Sequence, residues 1–267
     1  MKRTVLERVQ VNMPYLMLVE KYLPMVLRER INPEIGFNCF VLDRFRRDDF
    51  AETASRLRDA GLTITFHAPF FDLRPGAIDR RIREVTMDRL NQVFDLVPLF
   101  QPVTVVCHAS FDDRYYVSNE ELWLENSRDT WNHFLRRAAE MNTVVALENV
   151  YEQDPVWLGR LFDSLERSSP FCFCFDTGHF NVFSEAPLAE WLDRLGQYLG
   201  QLHLHDNDGK KDEHQPVGEG SFPFPDLFEY LAARDAQPVI TLEPHEVSTF
   251  RRTVKNLETM NLPAAAE

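Results

Sequence analysis

The sequence lacks several features that would mark a membrane, secreted or thiolate-rich protein. No apolar run approaches the roughly 20 residues that a membrane-spanning helix needs, so no membrane partner is expected. The opening segment, MKRTVLERVQ, has no apolar stretch after its basic residues, so it does not match a signal peptide and we expect a cytoplasmic location. Cysteine is scarce, since the chain has four and no Cys-x-x-Cys pair, which argues against a disulfide framework and a thiolate zinc site.

Positive charge is also in short supply. The chain has 29 Lys and Arg against 42 Asp and Glu, which gives a formal net charge of −13. Proteins that bind duplex DNA usually present a basic surface, so DNA is a possible but disfavoured partner. Part of the acidity belongs to candidate metal ligands, and bound cations would offset that part.

What the chain does have is enough apolar material for a large core. Hydrophobic residues make up 44% of its 267 residues, and 21 residues are Phe. Short β-branched or aromatic runs alternate with longer amphipathic segments, which is typical of β/α units. Strands are predicted at Val9–Asn12, Glu34–Asn38, Thr63–Ala68, Thr104–Ala109, Thr143–Asn149, Phe171–Thr177, Gly200–Asp206 and Pro238–Glu243.

This alternation predicts a single (β/α)8 TIM barrel of the α/β class. The barrel is expected to span residues 1–262, and residues 263–267 are expected to form a short C-terminal tail. Long helices are predicted at Leu16–Arg30 and Ile78–Phe100 among those that follow the strands. No linker or low-complexity stretch divides the chain into separate domains.

Alternation within the strands indicates which side chains face the barrel axis. In the fifth strand Val145 and Leu147 share one face, while Glu148 lies on the other. The bulky apolar face packs on helices, so the face with Glu148 points to the axis. Such residues come last in their strands, at the end where TIM barrels carry catalytic groups. We predict a metal site at this C-terminal mouth from His67, His108, Glu148, Asp176, His179, His203, Asp212, His214 and Glu243.

These nine side chains suit divalent cations. Imidazole nitrogens together with carboxylate oxygens favour zinc, manganese or similar ions over calcium. The set exceeds the need of one ion, so we predict one to three divalent ions, zinc or manganese, per chain. Taken alone, His67 or His108 fits a hydrogen-bonded histidine at a strand end better than a metal ligand. The interpretation as metal ligands is stronger for Glu148 and Glu243, because an acid within an apolar strand must be paired or coordinated.

At these residues the chain resembles the xylose isomerase-like, or AP endonuclease family 2, TIM-barrel superfamily. The resemblance runs from about Thr63 to Glu243 and so covers most of the chain. Its motifs are, in order, HAPF at His67, the strand-end His108, LEN at Glu148, CFDTGH at Asp176–His179, HLHD at His203, DEH at Asp212–His214, VGEG at Gly218–Gly220 and TLEPH at Glu243.

Two branches of that superfamily imply different functions. Endonuclease IV-type enzymes cleave DNA at abasic sites with three zinc ions held by nine ligands. Sugar isomerases and epimerases hold one ion, typically manganese, through the equivalents of Glu148, Asp176, His203 and Glu243. The resemblance to this second branch implies that Glu148 and Glu243 also act as acid and base. His179 would then orient substrate hydroxyls or bind a second ion.

The loops around the site favour the second branch. The Asp212–His214 pair is of the endonuclease type, but the loops ASFDDRYY and VYEQDP carry acids that a phosphate backbone would repel. We therefore predict a metal-dependent isomerase or epimerase of a small sugar or sugar phosphate, with His205, Asp206 and Phe70 as candidate substrate-binding residues. An abasic-site phosphodiesterase with a trinuclear zinc site and a non-catalytic metal-binding barrel stay open as alternatives.

Overall fold

Eight parallel strands follow one another in sequence order around a closed barrel, in a computed structural model that describes residues 4–260 and 262. The last strand pairs with the first, which closes the sheet. The strands are β1 Gln10–Pro14, β2 Asn32–Gly36, β3 Thr65–His67, β4 Thr104–His108, β5 Val144–Glu148, β6 Phe171–Asp176, β7 Leu199–Leu204 and β8 Val239–Leu242. The predicted (β/α)8 class is confirmed, and the tail predicted at 263–267 lies outside the described residues.

Helices cover the outside of this barrel. They are α1 Tyr15–Met17, α2 Leu23–Glu29, α3 Cys39–Arg44, α4 Arg47–Asp59, α5 Arg80–Phe94, α6 Val97–Phe100, α7 Glu120–Met141, α8 Val156–Ser164, α9 Thr177–Phe183, α10 Leu188–Leu195, α11 Phe224–Ala233 and α12 Val247–Thr259. A π-helical segment at Leu18–Tyr22 joins α1 to α2. Within residues 4–260 and 262, no helix has both the length and the apolar content that a bilayer crossing needs.

The helices differ from the sequence expectation in two ways. The helix predicted at Ile78–Phe100 is divided into α5 and α6, and a proline stands in the first turn of α6, where its missing N–H breaks no helical hydrogen bond. Two short helices were not predicted, and side chains cap both. Asn38 accepts a hydrogen bond from the backbone N–H of Val41 at the start of α3. Asp176 does the same for His179 at the start of α9.

The interior of the barrel follows the predicted alternation. Val145 and Leu147 belong to the large core between strands and helices. Val106, Ala146 and Cys174 form a separate small cluster on the inner face, with Cys172 packed against it. These small side chains fill the barrel interior below the level of the strand ends. Larger polar side chains, among them Glu34 and Gln201, lie above this cluster and beneath the carboxyl ends of the strands.

Candidate metal centre

The structure brings all nine predicted ligands into one connected cluster at the mouth of the barrel. His67, His108, Glu148 and Asp176 are the last residues of β3, β4, β5 and β6. His203 lies on β7, His179 stands in the first turn of α9, Asp212 and His214 lie in the loop after β7, and Glu243 follows β8 directly. The strand ends thus supply most of the cluster, and one loop and one helix start supply the rest.

Glu148 lies at the centre of this cluster. Its Oε2 lies 3.2 Å from Nε2 of His67 and 3.4 Å from Nε2 of His108, and its Oε1 lies 3.2 Å from Nδ1 of His179. Burial acts to raise the pKa of this carboxyl, but the nearby imidazoles of His203 and His108 outweigh burial and hold it well below its usual range. The carboxylate is therefore ionised. Its two oxygens face different histidines, and both could bind a metal ion.

Asp176 organises a second group of donors. Its carboxylate oxygens lie 3.0 and 3.1 Å from Nε2 of His205, and Oδ1 also accepts the backbone N–H of His179 at 2.7 Å. Asn149 holds the end of β6 in place, because its amide exchanges two hydrogen bonds with the backbone of Asp176. His205, which we predicted to contact substrate, therefore lies among the metal-type donors instead of at the open face.

The loop after β7 contributes a third group. Oδ2 of Asp212 lies 3.4 Å from Nε2 of His179 and 3.4 Å from Nε2 of His214. The rings of His205 and His214 are stacked, with centroids 3.8 Å apart and planes within 3°. Burial lowers the pKa of His214, but the hydrogen bond to Asp212 and the surrounding carboxylates outweigh burial and raise it to about 9. Asp212 thereby links the second and third groups.

A buried acid beneath the cluster was missed by sequence reasoning. Oε1 of Glu34, on β2, accepts from Asn12 and lies 3.0 Å from Nε2 of His203. Its Oε2 accepts from Thr65 at 3.0 Å, Gln201 at 2.7 Å and Thr241 at 2.9 Å. A carboxylate offers about four lone-pair sites, so Glu34 has none left for a cation. The sequence signal was an acid within the apolar run of β2.

Glu34 decides which nitrogen of His203 faces the site. Because an ionised carboxylate only accepts hydrogen bonds, Nε2 of His203 is the protonated nitrogen. Nδ1 then points to the cluster, where it lies 3.1 Å from Oε1 of Glu243 and 3.5 Å from Oε1 of Glu148. A carboxylate that orients a metal-ligating imidazole in this way is a common support of metal sites.

The cluster has the chemistry that a divalent cation requires. Buried atoms without a hydrogen-bond partner include Oε1 of Glu148, Nδ1 of His203, Nδ1 of His205 and Oδ1 of Asp212. Buried polar atoms in native proteins are nearly always satisfied, so these atoms call for a ligand of positive charge. Among the described residues, four groups of three residues have ligand-type atoms within 4.8 Å of one another, and three of these groups do not include the fully occupied Glu34. Mixed nitrogen and oxygen donors of this kind fit zinc or manganese.

A cavity of about 1020 Å³ opens directly above these groups. Seven of the nine ligands line it, namely His67, His108, Glu148, His179, Asp212, His214 and Glu243. Asp176 and His203 are fully buried beneath them. The predicted substrate contact Phe70 also lines the cavity, and its ring stacks on His108 with a centroid distance of 4.4 Å. The cluster is therefore accessible to a small molecule from the cavity side.

Asp206, the remaining candidate for substrate contact, has a different role in the structure. Its carboxylate accepts the backbone N–H groups of Asn207, Gly218, Gly220 and Phe222 at 2.9 to 3.1 Å. A Cβ at Gly220 would collide with Oδ1 of Asp206, which explains the second glycine of the VGEG motif. Asp206 is fully buried and does not line the cavity, so it orders the loop that carries Asp212 and His214.

The fold and the site together define a TIM barrel with a cluster of metal-type donors at the C-terminal mouth of its strands. The chain belongs to the xylose isomerase-like TIM barrel family, whose profile matches residues 33–261. This confirms the resemblance seen in the sequence motifs.

Individual relatives agree with this family. An uncharacterised protein from Methanocaldococcus jannaschii is 28% identical over 73% of this chain and 68% of its own length. The fructoselysine 3-epimerase of Escherichia coli O157:H7 is 35% identical over 57 residues, which are 21% of each chain. The second match is confined to a short segment, so it carries less weight than the first.

Solved structures share the whole fold. A D-tagatose 3-epimerase-like protein superimposes with a TM-score of 0.80 at 20% identity, covering 95% of this chain and 96% of its own. A protein from Thermus thermophilus, soaked with zinc chloride, gives 0.76 at 23% identity, covering 95% and 97%. The D-psicose 3-epimerase of Clostridium cellulolyticum H10, with D-tagatose, gives 0.77 at 13% identity, covering 97% and 100%. At these identities the likeness establishes the fold.

Proposed function

We propose that this protein is a divalent-metal-dependent isomerase or epimerase that acts on a small sugar or sugar phosphate. One observation carries the proposal. Glu148 and Glu243 stand at the ends of β5 and β8, both approach Nδ1 of His203, and both line the cavity. Two carboxylates beside one cation position are what a reaction needs when a proton must leave and return at a carbon next to a carbonyl.

Four residues would hold the catalytic ion in this proposal, namely Glu148, Asp176, His203 and Glu243. A bound divalent ion would polarise the carbonyl and the neighbouring hydroxyl of the sugar, which makes the adjacent C–H more acidic. The two buried members, Asp176 and His203, would serve as ligands only. Glu148 and Glu243 reach the cavity and so would also contact substrate.

The proton transfers are assigned to the two glutamates. One carboxylate removes the proton from the carbon beside the carbonyl, and the electron pair of that C–H bond moves toward the carbonyl oxygen. For epimerisation, the other glutamate, in its acid form, returns a proton to the same carbon from the opposite face. For isomerisation, the proton returns to the former carbonyl carbon, while a proton passes from the hydroxyl to the carbonyl oxygen. His179 lines the cavity beside Glu148 and would orient a hydroxyl or hold a second ion.

Solvent exchange tests this proposal. Protein purified without chelator is analysed for bound metal and then incubated in deuterium oxide with a panel of ketoses. We expect about one manganese-like or zinc ion per chain at the catalytic position. Deuterium should enter the carbon next to the carbonyl of at least one sugar. Absence of exchange across a broad panel, with metal bound, would reject the proposal.

A second candidate function has its own supporting observation. Two groups of ligand-type atoms, which include Asp212, His214, His179 and His205, are distinct from the group around Glu148. The cluster therefore has positions for more than one ion. Closely spaced cations suit phosphodiester hydrolysis, because they activate water and neutralise the leaving oxygen. An endonuclease IV-like protein would bind about three zinc ions and nick a duplex with one abasic site. No cleavage at high enzyme concentration and low salt would reject this candidate, and bound metal without either activity is what a non-catalytic barrel predicts.

A further inference from the structure

The cavity above the metal-type donors is larger than a monosaccharide requires. Its volume of about 1020 Å³ lies at the upper end of the range of roughly 300–1,000 Å³ for pockets that hold drug-sized ligands. The metal-type donors all come from the β3 to β8 side. A single sugar placed on them would leave the space above β1 and β2 to water.

Apolar side chains line that remaining space. We call this wall the apolar annex, and it consists of Met17, Tyr22, Met25, Phe40, Phe71 and Val247. Phe40 and Phe71 are 79% and 76% exposed, although large aromatic side chains at a surface usually cover one another or a ligand. Single exposed apolar residues need no explanation, but here several surround one opening.

The annex is continuous with the donor cluster. The ring of Phe70 stacks on His108 at 4.4 Å and contacts the ring of Phe71 at 4.5 Å. An aromatic surface therefore runs from a candidate metal ligand to the exposed rim. A ligand bound at the donors can extend along this surface without leaving the cavity.

The cavity wall offers little to a phosphate group. Arg89 is the one Lys or Arg among the described residues that line it. Its guanidinium is already held by both carboxylate oxygens of Asp43, at 2.5 and 3.0 Å, and by Gln92. The wall also carries the acids Asp72 and Glu246, which would repel an anion.

A helix start does not change this conclusion. The N terminus of α12 opens on the cavity and would attract an anion through its backbone N–H groups. However, its N-cap residue is Glu246, which adds a negative charge to this helix end and accepts a hydrogen bond from the hydroxyl of Ser248 in the first turn. A terminal phosphate, which would lie away from the reacting carbon and the metal-type histidines, therefore meets no unpaired Lys or Arg in the part of the cavity wall that the structure describes.

From these features we infer that the substrate joins an uncharged sugar end to an apolar group, and that it does not end in a phosphate. The inference rests on the proposed function, because it assigns the sugar end to the donors. The apolar group would lie in the annex, against Phe40 and Phe71. Burial of a phenyl-sized group there should tighten binding at least about 10-fold.

Matched sugar ethers test this inference by direct binding to the metal-loaded protein. The probes are methyl and phenyl ethers of the same ketohexoses, which keep the carbonyl free, with the 6-phosphates of those ketohexoses as a third set. Calorimetric titration is expected to show the phenyl member of at least one pair binding at least about 10-fold tighter than the methyl member. The phosphorylated sugars should bind no better than the methyl ethers. Saturation-transfer NMR should show contact at the phenyl protons.

Two surface variants localise the effect. The double variant Phe40→Ser/Phe71→Ser should reduce the advantage of the phenyl group to about 3-fold or less and leave the affinity for the methyl ethers unchanged. Both side chains are exposed, so the fold should tolerate the changes. Ile82→Ser is the matched control, because Ile82 is an exposed apolar residue of α5 that does not line the cavity. It should leave every affinity unchanged.

Three results would overturn the inference. They are equal affinities within every methyl and phenyl pair, tightest binding by a phosphorylated sugar, and light scattering that shows a dimer which the double variant converts to monomers. The last would mean that a second copy of the chain covers the annex.

Failure of the proposed function is distinguishable, because it would appear as phenyl-selective binding without deuterium exchange in any ketose. Failure of the inference alone would appear as exchange without phenyl selectivity.

Discussion

The two sides of the barrel mouth differ in chemistry. The ends of β3 to β8 and their loops supply ten histidines and acids, the nine predicted ligands and His205, that meet in one cluster. The ends of β1 and β2 supply apolar side chains, and the one acid of β2, Glu34, is buried beneath the cluster with all its lone pairs in use. One side can hold cations and move protons, while the other can only exclude water and pack against a ligand.

In the proposed function, the donor side carries out the reaction and the apolar side recognises the substrate. Buried acids and imidazoles without hydrogen-bond partners impose an electrostatic requirement that a cation meets. The apolar annex imposes no such requirement, so its residues can change without loss of the ion. Variants on the donor side should therefore affect catalysis and metal affinity, whereas variants on the annex side should affect which substrate binds.

The largest effect is expected for Glu148→Gln. Glu148 is the donor that meets His67, His108 and His179, and it has an assigned role in proton transfer. Loss of its charge should lower turnover by about 10³-fold or more. Steady-state kinetics on the best substrate of the ketose panel would measure this. Glu152→Gln is the matched control, since Glu152 is an equally buried acid in the loop that follows β5 and does not line the cavity. Retained turnover in the Glu148 variant would show that the donor side is not the reactive side.

The same control residue gives a prediction for stability. Burial raises the pKa of Glu152 from 4.5 to about 7. The folded state therefore keeps a proton that the unfolded state releases, and this contribution to stability is present at low pH and is lost as pH rises through about 7. Relative to Glu152→Gln, the free energy of unfolding of the wild type should fall by about 3 kcal/mol between about pH 4 and pH 8.

Denaturant titrations of the two proteins across this pH range measure the difference. Other titrating groups, including the histidines of the site, occur in both proteins and cancel. If the difference in free energy of unfolding between wild type and variant did not change with pH, burial would not raise the pKa of Glu152. Its environment would then compensate the charge.

A smaller effect is expected for Glu34→Gln. The substitution removes the negative charge opposite Nε2 of His203 and leaves the shape unchanged. Metal affinity should fall by about 10- to 100-fold, as for other residues that orient a metal-ligating histidine. Competition with a chromogenic chelator measures this, and long-range ¹⁵N NMR should show the Nε2–H form of His203 in the wild type.

Thr65→Val provides the comparison for this variant. Thr65 donates to the other oxygen of Glu34, so its loss leaves the contact with His203 intact. We expect a weaker effect on metal affinity than that of Glu34→Gln. An Nδ1–H form of His203, or unchanged metal affinity in a folded Glu34 variant, would contradict the orienting role.

The smallest effect is expected for Arg89→Gln. Arg89 pairs with Asp43 at the rim of the annex, where the Asp43 side chain is 57% exposed. Solvent screens such an exposed pair, so its loss should change stability little. Because the guanidinium is already engaged, affinity for sugar phosphates should not change. A large loss of phosphate affinity in this variant would show that the annex side does recognise anions.

The fold and most of the cluster could be predicted from the sequence because both depend on local patterns. In β5, the alternation of Val145 and Leu147 with Ala146 and Glu148 records which face is buried in helices and which faces the axis. The position of Glu148 as the last residue of its strand places it at the mouth without knowledge of any distant contact. The same local logic applies to His67, His108 and Asp176.

Other features depend on which distant segments meet. His205 was predicted to contact substrate, but its ring lies beside Asp176 and His214, which come from different elements. Asp206 was predicted to do the same, but the backbone of the following loop folds over it. No local pattern distinguishes His203 from His205, or Asp206 from Asp212, because the distinction lies in the path of the loop.

By itself, the sequence determined the barrel fold, the end of the barrel at which the candidate ligands lie, and the ligands at the strand ends. Alternation and position at a strand end are properties of neighbouring residues. Only the tertiary structure decided the role of Glu34, whose hydrogen-bond partner Thr241 stands 207 positions away. It also decided that the β1 and β2 side is an apolar wall, since Phe40 and Phe71 become part of one surface only when β2 and β3 are adjacent. Burial and charge compensation are sums over neighbours in space, and the closed barrel selects those neighbours.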